Sequence, residues 1–347
     1  MLPSTAYPKL PPTLKGVKHS RTSNTTSLGL DCLDKLIEDG IPFPSIILVD
    51  EKSSRKIGKI LQRIYCAEAV IQEQKIIVAS PRKADLEDIL NSIPSETASS
   101  GIAASGNSQK STDEESLKIA WRFQSAPKIS SSISNSKPKF DLAKSKARME
   151  INESELVQTI FANSYEQLWK ELEGVLSSPN VDITQPGPKT AYRIILSELG
   201  SPLFVDHSKA AITNFITRLR AFIMSSCATA MICIDGEQMD AEMLEYFHLI
   251  SDSILNFYPI SERLRSNDPS AFNGRLEVAK IPRLYGNNLF RPEFCDYSYK
   301  DTRHTLEIRK FLLDFDDSNN QMDTKSLEPI TDDLREMGIL APDIDDV

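Results

Sequence analysis

Short apolar runs alternate with amphipathic stretches in the first quarter of the chain. Residues 45–49 and 75–79 are rich in isoleucine, valine and other apolar residues, and these two runs predict buried strands. Residues 55–73 carry apolar side chains at helical spacing, and a shorter helical pattern covers residues 83–90. Strand, helix, strand and helix in this order predict a parallel sheet that is covered by helices on both faces.

The same alternation returns in the second half of the chain. Helical patterns cover residues 153–176, 212–224 and 241–250. Apolar strand patterns cover residues 192–196, 229–235 and 253–257. Two later segments, residues 275–281 and 305–313, alternate apolar and polar positions as antiparallel strands do. We therefore predict an α/β fold with a RecA-like three-layer core, in which antiparallel strands finish the edge of a mainly parallel sheet.

Composition divides the chain into one domain with two tails. We predict a flexible arm over residues 1–26, one RecA-like domain over residues 27–315 and an acidic disordered tail over residues 316–347. Within the domain, the regions near residues 95–116 and 130–139 are rich in serine and poor in large apolar side chains, which predicts low-complexity insertions.

Charge and cysteine content narrow the function class. The 347 residues carry a formal net charge of −9, which argues against attraction of nucleic acid to the whole surface. Five scattered cysteines without a Cys-x-x-Cys pair, and four distant histidines, predict no metal site and a reducing compartment. Because no apolar run approaches the ~20 residues that a membrane span needs, we expect a soluble protein without membrane contact. We expect it in the cytoplasm, and the sequence leaves nuclear residence open.

The turn between the first strand and the first long helix has the position of a phosphate-binding loop but not its residues. Nucleotide-binding proteins place glycines, a lysine and a serine or threonine there, so that backbone N–H groups and a hydroxyl hold phosphate and magnesium. Residues 50–60 read DEKSSRKIGKI, and each of the two registers that fit, with Lys56 or with Lys59, lacks the hydroxyl and at least one glycine. The carboxylates of Asp50 and Glu51 would also repel phosphate. We favour a degenerate loop that has lost its ligand over an atypical nucleotide site, with Lys56 and Lys59 as the cofactor-binding candidates.

Two acidic residues follow predicted strands, at positions where an ATPase would have a carboxylate that binds magnesium or orients a water molecule. Glu198 lies one residue later than that acid would, and Gly200 and Pro202 follow it as in a rigid turn. Asp235 precedes Gly236, which is equally typical of a plain turn. We interpret both acids as turn residues and predict no catalytic residue.

Basic residues are the candidates for contact with RNA. Arg263 and Arg265 flank a turn-rich stretch that is long enough to protrude, and Lys209 precedes a predicted helix. Arginine and lysine pair with phosphate groups, so loops of this kind that face the opening of a ring of subunits would meet a polyanion. The alternative is that these three side chains are ordinary solvated charges.

Five stretches of the chain resemble the family of the fourth Elongator subunit. They are SLGLDCLD at residues 27–34 with GIP at 40–42, LKIAWRFQ at 117–124, FDL at 140–142, SELGSPL at 197–203, and residues 276–284 with IRKF at 308–311. The second and fourth stretches are specific, whereas the first is common among RecA-like proteins. The chain departs from the family at Glu38 and Asp39, where a glycine run is usual.

The resemblance implies a non-catalytic RecA-like subunit without ATPase signatures. It implies a hetero-hexameric ring with the fifth and sixth Elongator subunits, which binds tRNA and joins the catalytic core subunits. That complex modifies the wobble uridine (U34) of tRNA, and its chemistry belongs to another subunit. No cofactor is implied for this chain, and ATP hydrolysis by the assembled ring stays open. Two alternatives remain: an ATPase subunit with an atypical phosphate loop, and a scaffold that never contacts RNA.

Overall fold

A computed structural model describes residues 10–11, 14–20, 24–37, 40–52, 56–97, 138–147, 150–151, 155–260, 272–282 and 296–310. In this part the helices are α1 (Asp31–Leu36), α2 (Lys56–Ile71), α3 (Lys83–Asn91), α4 (Tyr165–Leu176), α5 (Lys209–Met224) and α6 (Ala241–Ile250), with a 3-10 turn at Gly236–Gln238. The strands are β1 (Lys18–His19), β2 (Asn24–Thr26), β3 (Ile41–Pro42), β4 (Ser45–Glu51), β5 (Lys75–Ser80), β6 (Pro94–Glu96), β7 (Phe140–Ser145), β8 (Val157–Phe161), β9 (Tyr192–Ser197), β10 (Ala228–Ile234), β11 (Ser253–Pro259), β12 (Gly274–Lys280), β13 (Asp296–Asp301) and β14 (Leu306–Lys310).

One large sheet organises the described residues. Its strands lie in the order β14-β13-β12-β11-β4-β10-β9-β5-β8. The six strands from β11 to β8 pair in parallel, and β12, β13 and β14 continue the sheet in antiparallel fashion. This order confirms the predicted RecA-like layout. Of the three antiparallel strands, β13 was not predicted.

Helices cover both faces of this sheet, because side chains in a strand alternate between its two sides. Ile47 and Val49 of β4 pack into the core that α1, α2 and α3 cover. Ile46 and Leu48 point to the opposite core, beneath α4, α5 and α6. All seven residues of β4 are buried, as the continuous apolar run of a central parallel strand predicts. The three-layer core is thus confirmed.

The helical prediction for residues 153–176 is wrong in its first half. Residues 157–161 form β8, which extends the sheet in parallel beside β5, with Ile160 opposite Ala79. Ile160 is 4% exposed in the core beneath α4. The helix begins only after Ser164, whose hydroxyl accepts a hydrogen bond from the Gln167 N–H at 3.2 Å. Pairing with β5 therefore outweighed the local helical spacing.

The flexible arm predicted over residues 1–26 is wrong where the structure describes it. Leu10, Leu14 and Val17 are buried in a small cluster with Phe43 and other apolar residues. Strands β1 and β2 form a small antiparallel sheet with β3, and the Thr26 hydroxyl donates to the Gly16 carbonyl at 2.7 Å. Apolar side chains between the prolines thus fold back on the domain.

Other predictions lie largely outside the described residues. The two low-complexity insertions lie outside them except at their outer ends. The LKIAWRFQ stretch at residues 117–124 and the acidic tail lie outside them entirely. The limits of the insertions and of the acidic tail therefore stay predictions. Within the described part, no helix is long and apolar enough to cross a bilayer.

Candidate functional site

A cleft opens at the carboxyl ends of β4, β9 and β10, beside the first turn of α2. Its lining includes Glu51, Gly58, Gln62, Ser197 and Cys233. Open α/β sheets bind ligands at this edge, and the start of the helix after a strand is where phosphate binds. As formed by the described residues, the cleft encloses about 50 Å³. Ligand pockets usually enclose about 300–1,000 Å³. The space enclosed by the described residues is thus small beside that of an ordinary ligand pocket.

The side chain of Glu51 occupies the start of α2. One carboxylate oxygen, Oε1, accepts a hydrogen bond from the Ile57 N–H at 2.9 Å, and Oε2 accepts one from the Gly58 N–H at 2.7 Å. These N–H groups have no partner within the helix, and the positive end of the helix dipole favours an anion beside them. Glu51 is 3% exposed. A carboxylate of the chain itself therefore stands where a bound phosphate would accept the same hydrogen bonds.

Glycine at position 58 fits this arrangement. A Cβ atom there would lie 3.3 Å from Glu51 Oε2, closer than an ordinary van der Waals contact. In one register of the loop, Gly58 and Lys59 match the glycine and lysine of a nucleotide site. The contact with Glu51 gives this glycine a structural reason instead. The glycine gives the Glu51 carboxylate room to approach the backbone.

Asp50 ties β4 to the turn after β10. Its Oδ1 accepts a hydrogen bond from the Gly236 N–H at 2.7 Å, and the residue is 1% exposed. Burial raises the pKa of the Asp50 carboxyl group, and the hydrogen bond from Gly236 opposes that rise. A Cβ atom at position 236 would lie 2.5 Å from Asp50 Oδ2, so the turn requires glycine. Asp235 accepts from the Glu237 N–H at 3.2 Å, in agreement with its interpretation as a turn residue.

The structure does not bring the two candidate lysines together at the cleft. The Lys56 ammonium group forms an ion pair with Asp301 on β13. Lys59 lines the cleft, but its Nζ lies 3.0 Å from Asp85 and 3.8 Å from Asp88, both on α3. Carboxylates elsewhere in the fold thus compensate both charges. Their assignment to a cofactor stays a prediction, and the geometry gives it no support.

Glu198 lies in a tight, hydrogen-bonded turn. Its φ of +66° is unusual for a residue other than glycine, and its carboxylate lies 3.9 Å from the Arg82 guanidinium. Gly200 has a φ of +82°, and its N–H donates to the Tyr165 hydroxyl at 2.9 Å. A Cβ atom at position 200 would lie 2.4 Å from Met239 Cε. The SELGSPL stretch is therefore a rigid turn against α4, as its glycine and proline indicate.

Metal-binding clusters and reactive thiols are absent from the part of the chain that the structure describes. No group of three or more His, Cys, Asp or Glu side chains among them could hold a metal ion. The described cysteines are free, and burial raises the pKa of each of their thiols to about 11 or 12. Protonated, buried thiols are poor nucleophiles.

The RNA-binding candidates are only partly within the described residues. Lys209, at the start of α5, lies 2.8 Å from Glu242 and 3.2 Å from Asp240, so two carboxylates share its charge. Arg263 and Arg265 lie outside the described residues. The assignment of all three residues to tRNA stays a prediction.

From the sequence alone, Glu51 is expected only to repel phosphate. One signal was available: the first turn of α2 contains no acidic residue, although acids are favoured there. Glu51, at the end of the preceding strand, supplies that charge from outside the helix.

Comparison with known proteins places these observations in a family. The family described as "PAXNEB protein" matches residues 10–334. The chain is 23% identical to Elongator complex protein 4 of Xenopus laevis, over 88% of this chain and 83% of that protein. It is 24% identical to Elongator complex protein 4 of Dictyostelium discoideum, over 83% of this chain and 74% of that protein. It is 23% identical to the human Elongator complex protein 4, over 83% of this chain and 75% of that protein.

Among solved structures, a KaiC-like protein from Pyrococcus horikoshii superposes with a TM-score of 0.49 at 10% identity. The match covers 82% of this chain and 99% of that chain. The strand order of the large sheet shows the RecA-like layout independently of this superposition.

Proposed function

The chain belongs to the PAXNEB family, and we propose on that basis that it is a non-catalytic subunit of an Elongator complex. Its relatives named Elongator complex protein 4 come from frog, slime mould, fish, mammals, insect and fission yeast. The family resemblance inferred from five sequence stretches is confirmed by these matches. Membership of an Elongator complex implies other Elongator subunits as partners.

The Glu51 carboxylate is the observation that supports a non-catalytic role. ATP hydrolysis at this subunit would require phosphate to displace a buried carboxylate from the Ile57 and Gly58 N–H groups. The cleft of about 50 Å³ would also have to enlarge several-fold. The alternative of an ATPase subunit therefore has no support in the geometry. If the assembled Elongator ring hydrolyses ATP, we propose that other subunits carry out the hydrolysis.

We expect this chain to assemble with the fifth and sixth Elongator subunits into a ring with two copies of each. The chain would be co-expressed with both partners and the product weighed by native mass spectrometry, with the chain alone as the control. A mixed hexamer is the expected product. A monomer or homo-oligomer that ignores both partners would contradict the proposal.

The assembled ring is proposed to bind tRNA and so to support wobble-uridine (U34) modification by the catalytic core subunits. Reversing Arg263 and Arg265 to glutamate is expected to weaken tRNA binding by the ring on the order of tenfold or more. It should also reduce the steepness with which the logarithm of the binding constant falls with the logarithm of the salt concentration, by about one per lost phosphate contact. Lys75→Glu, an exposed lysine at the start of β5, is the matched control. Unchanged affinity and slope would favour the alternative of a scaffold without RNA contact.

Cytoplasmic residence is proposed as well, with nuclear residence left open. The four described cysteines are free, and three of them are buried, which accords with a reducing compartment. Fractionation of cells with an antibody to the chain would test this, and recovery only from a secreted or membrane-enclosed fraction would overturn it.

A further inference from the structure

Three apolar side chains lie exposed beside the outer edge of the sheet. Phe161, at the end of β8, is 41% exposed, and Leu203 and Val205, in the loop after β9, are 40% and 74% exposed. We call these three residues the ledge. The Val205 N–H donates to the Asn163 carbonyl at 2.8 Å, which holds the loop against the segment that follows β8. Within the described residues, the other large apolar side chain with comparable exposure is Leu249, at 73%.

The ledge is built on a rigid base. Phe204, between Leu203 and Val205, is 2% exposed and stacks on the Tyr165 ring with centroids 4.4 Å apart. The Tyr165 hydroxyl accepts from the Gly200 N–H, so both ends of the loop are anchored to α4. The specific GSPL turn of the family resemblance thus serves to present two exposed apolar residues. Pre-ordered side chains lose little conformational entropy when a partner binds.

A cavity adjoins the ledge between α4 and α5. It encloses about 370 Å³, and Tyr165, Trp169 and Phe215 are among its lining residues. The exposed carboxylates of Glu166 and Asp206 also line it, and Arg218 stacks over Trp169 with 5.5 Å between the guanidinium carbon and the ring centroid. Hydrogen bonds from Ser208 lower the pKa of Asp206, so that carboxylate stays charged at neutral pH.

The side chains of the cavity and the ledge indicate which partner side chains would bind there. Two exposed carboxylates beside exposed apolar side chains suit a lysine or arginine whose apolar stem lies against the ledge while its charge meets Glu166 and Asp206. The ledge beside the cavity adds apolar area that a solvated monomer has little reason to expose. An apolar residue next to a basic one would fill both features at once.

Building on the Elongator assembly proposed above, we propose that the ledge and this cavity form a contact surface for a neighbouring subunit. That subunit presents an apolar side chain to Val205 and a lysine or arginine to the two carboxylates. The cavity shares no lining residue with the cleft at the start of α2, so the proposed contact invokes no nucleotide.

The test uses the full chain co-expressed with the fifth and sixth Elongator subunits. Val205→Asp is compared with Leu249→Asp, which places the same charge at an equally exposed site. Native mass spectrometry at fixed protein concentration should show hexamer reduced at least about tenfold for V205D and unchanged for L249D, because a buried unpaired charge opposes association. Circular dichroism should show both variants folded.

A second pair of variants tests the charge of the cavity. Glu166→Arg should weaken assembly and reduce its dependence on salt, whereas Glu171→Arg, on the same helix, should change neither. Assembly of V205D and E166R at the wild-type level would overturn the inference and leave the Elongator proposal intact. Failure of the wild-type chain to assemble would overturn both. Formation of a homodimer that V205D abolishes would replace the proposed partner by a second copy of the chain.

Discussion

Replacing Glu51 with alanine is expected to lower the free energy of unfolding by about 2–4 kcal/mol. The change removes a charged acceptor from the Ile57 and Gly58 N–H groups, to which it lies at 2.9 and 2.7 Å. The loss is large because Glu51 is only 3% exposed, so water does not freely replace it. Denaturation in urea measures the change. Glu87→Ala, an exposed glutamate on α3, serves as the control and should change stability by less than about 0.5 kcal/mol.

The same variant tests whether the carboxylate fills a phosphate site. Inorganic phosphate should raise the melting temperature of the Glu51→Ala chain, because the freed N–H groups can then donate hydrogen bonds to an anion at the start of α2. Neither phosphate nor ATP should shift the wild-type melting temperature, since Glu51 already accepts those hydrogen bonds. Tight ATP binding by the wild-type chain would show that the ATPase alternative had been dismissed wrongly.

Arg193→Ala is expected to cost about 3–5 kcal/mol of stability. Arg193, on β9, has no exposed surface and is the largest fully buried side chain in the described part. Its Nε donates to Gln74 Oε1 at 2.6 Å, and one terminal nitrogen donates to the Thr26 hydroxyl at 3.0 Å. The guanidinium carbon lies 4.5 Å from the centroid of the Tyr65 ring. Alanine would leave a cavity and remove the partners of Gln74 and Thr26 together.

Arg193→Met separates packing from hydrogen bonding. Methionine fills much of the same volume without a buried charge, so its stability loss should be clearly smaller than that of alanine. Arg309→Ala, an exposed arginine on β14, is the matched control and should change stability by about 0–1 kcal/mol. A loss below about 1 kcal/mol for Arg193→Ala would show that the buried guanidinium does not stabilise the fold.

The alternation of buried strands and amphipathic helices could be predicted because it is local. The apolar run at β4 needed no tertiary information, since a strand covered on both faces is apolar throughout. The error at residues 153–176 has the opposite cause. Val157 and Ile160 satisfy a helical spacing as well as a strand, and the open edge of β5 decided between them. The packed residues among 1–26 were missed because their partners, such as Phe43 and Ala191, come much later in the chain.

The sequence by itself determined the layer order of the core, and it showed that residues 50–60 lack the usual residues of a phosphate-binding loop, because both follow from which residue types stand at which spacing. Only the tertiary structure decided how that loop is filled, where Lys56 and Lys59 find their carboxylates, and why a buried arginine is tolerated. Arg193 meets Thr26 across 167 positions, and Asp50 meets Gly236 across 186. Composition and periodicity indicate which side chains are buried. They do not indicate which donor meets which acceptor, because that depends on where distant segments are placed by the packed sheet.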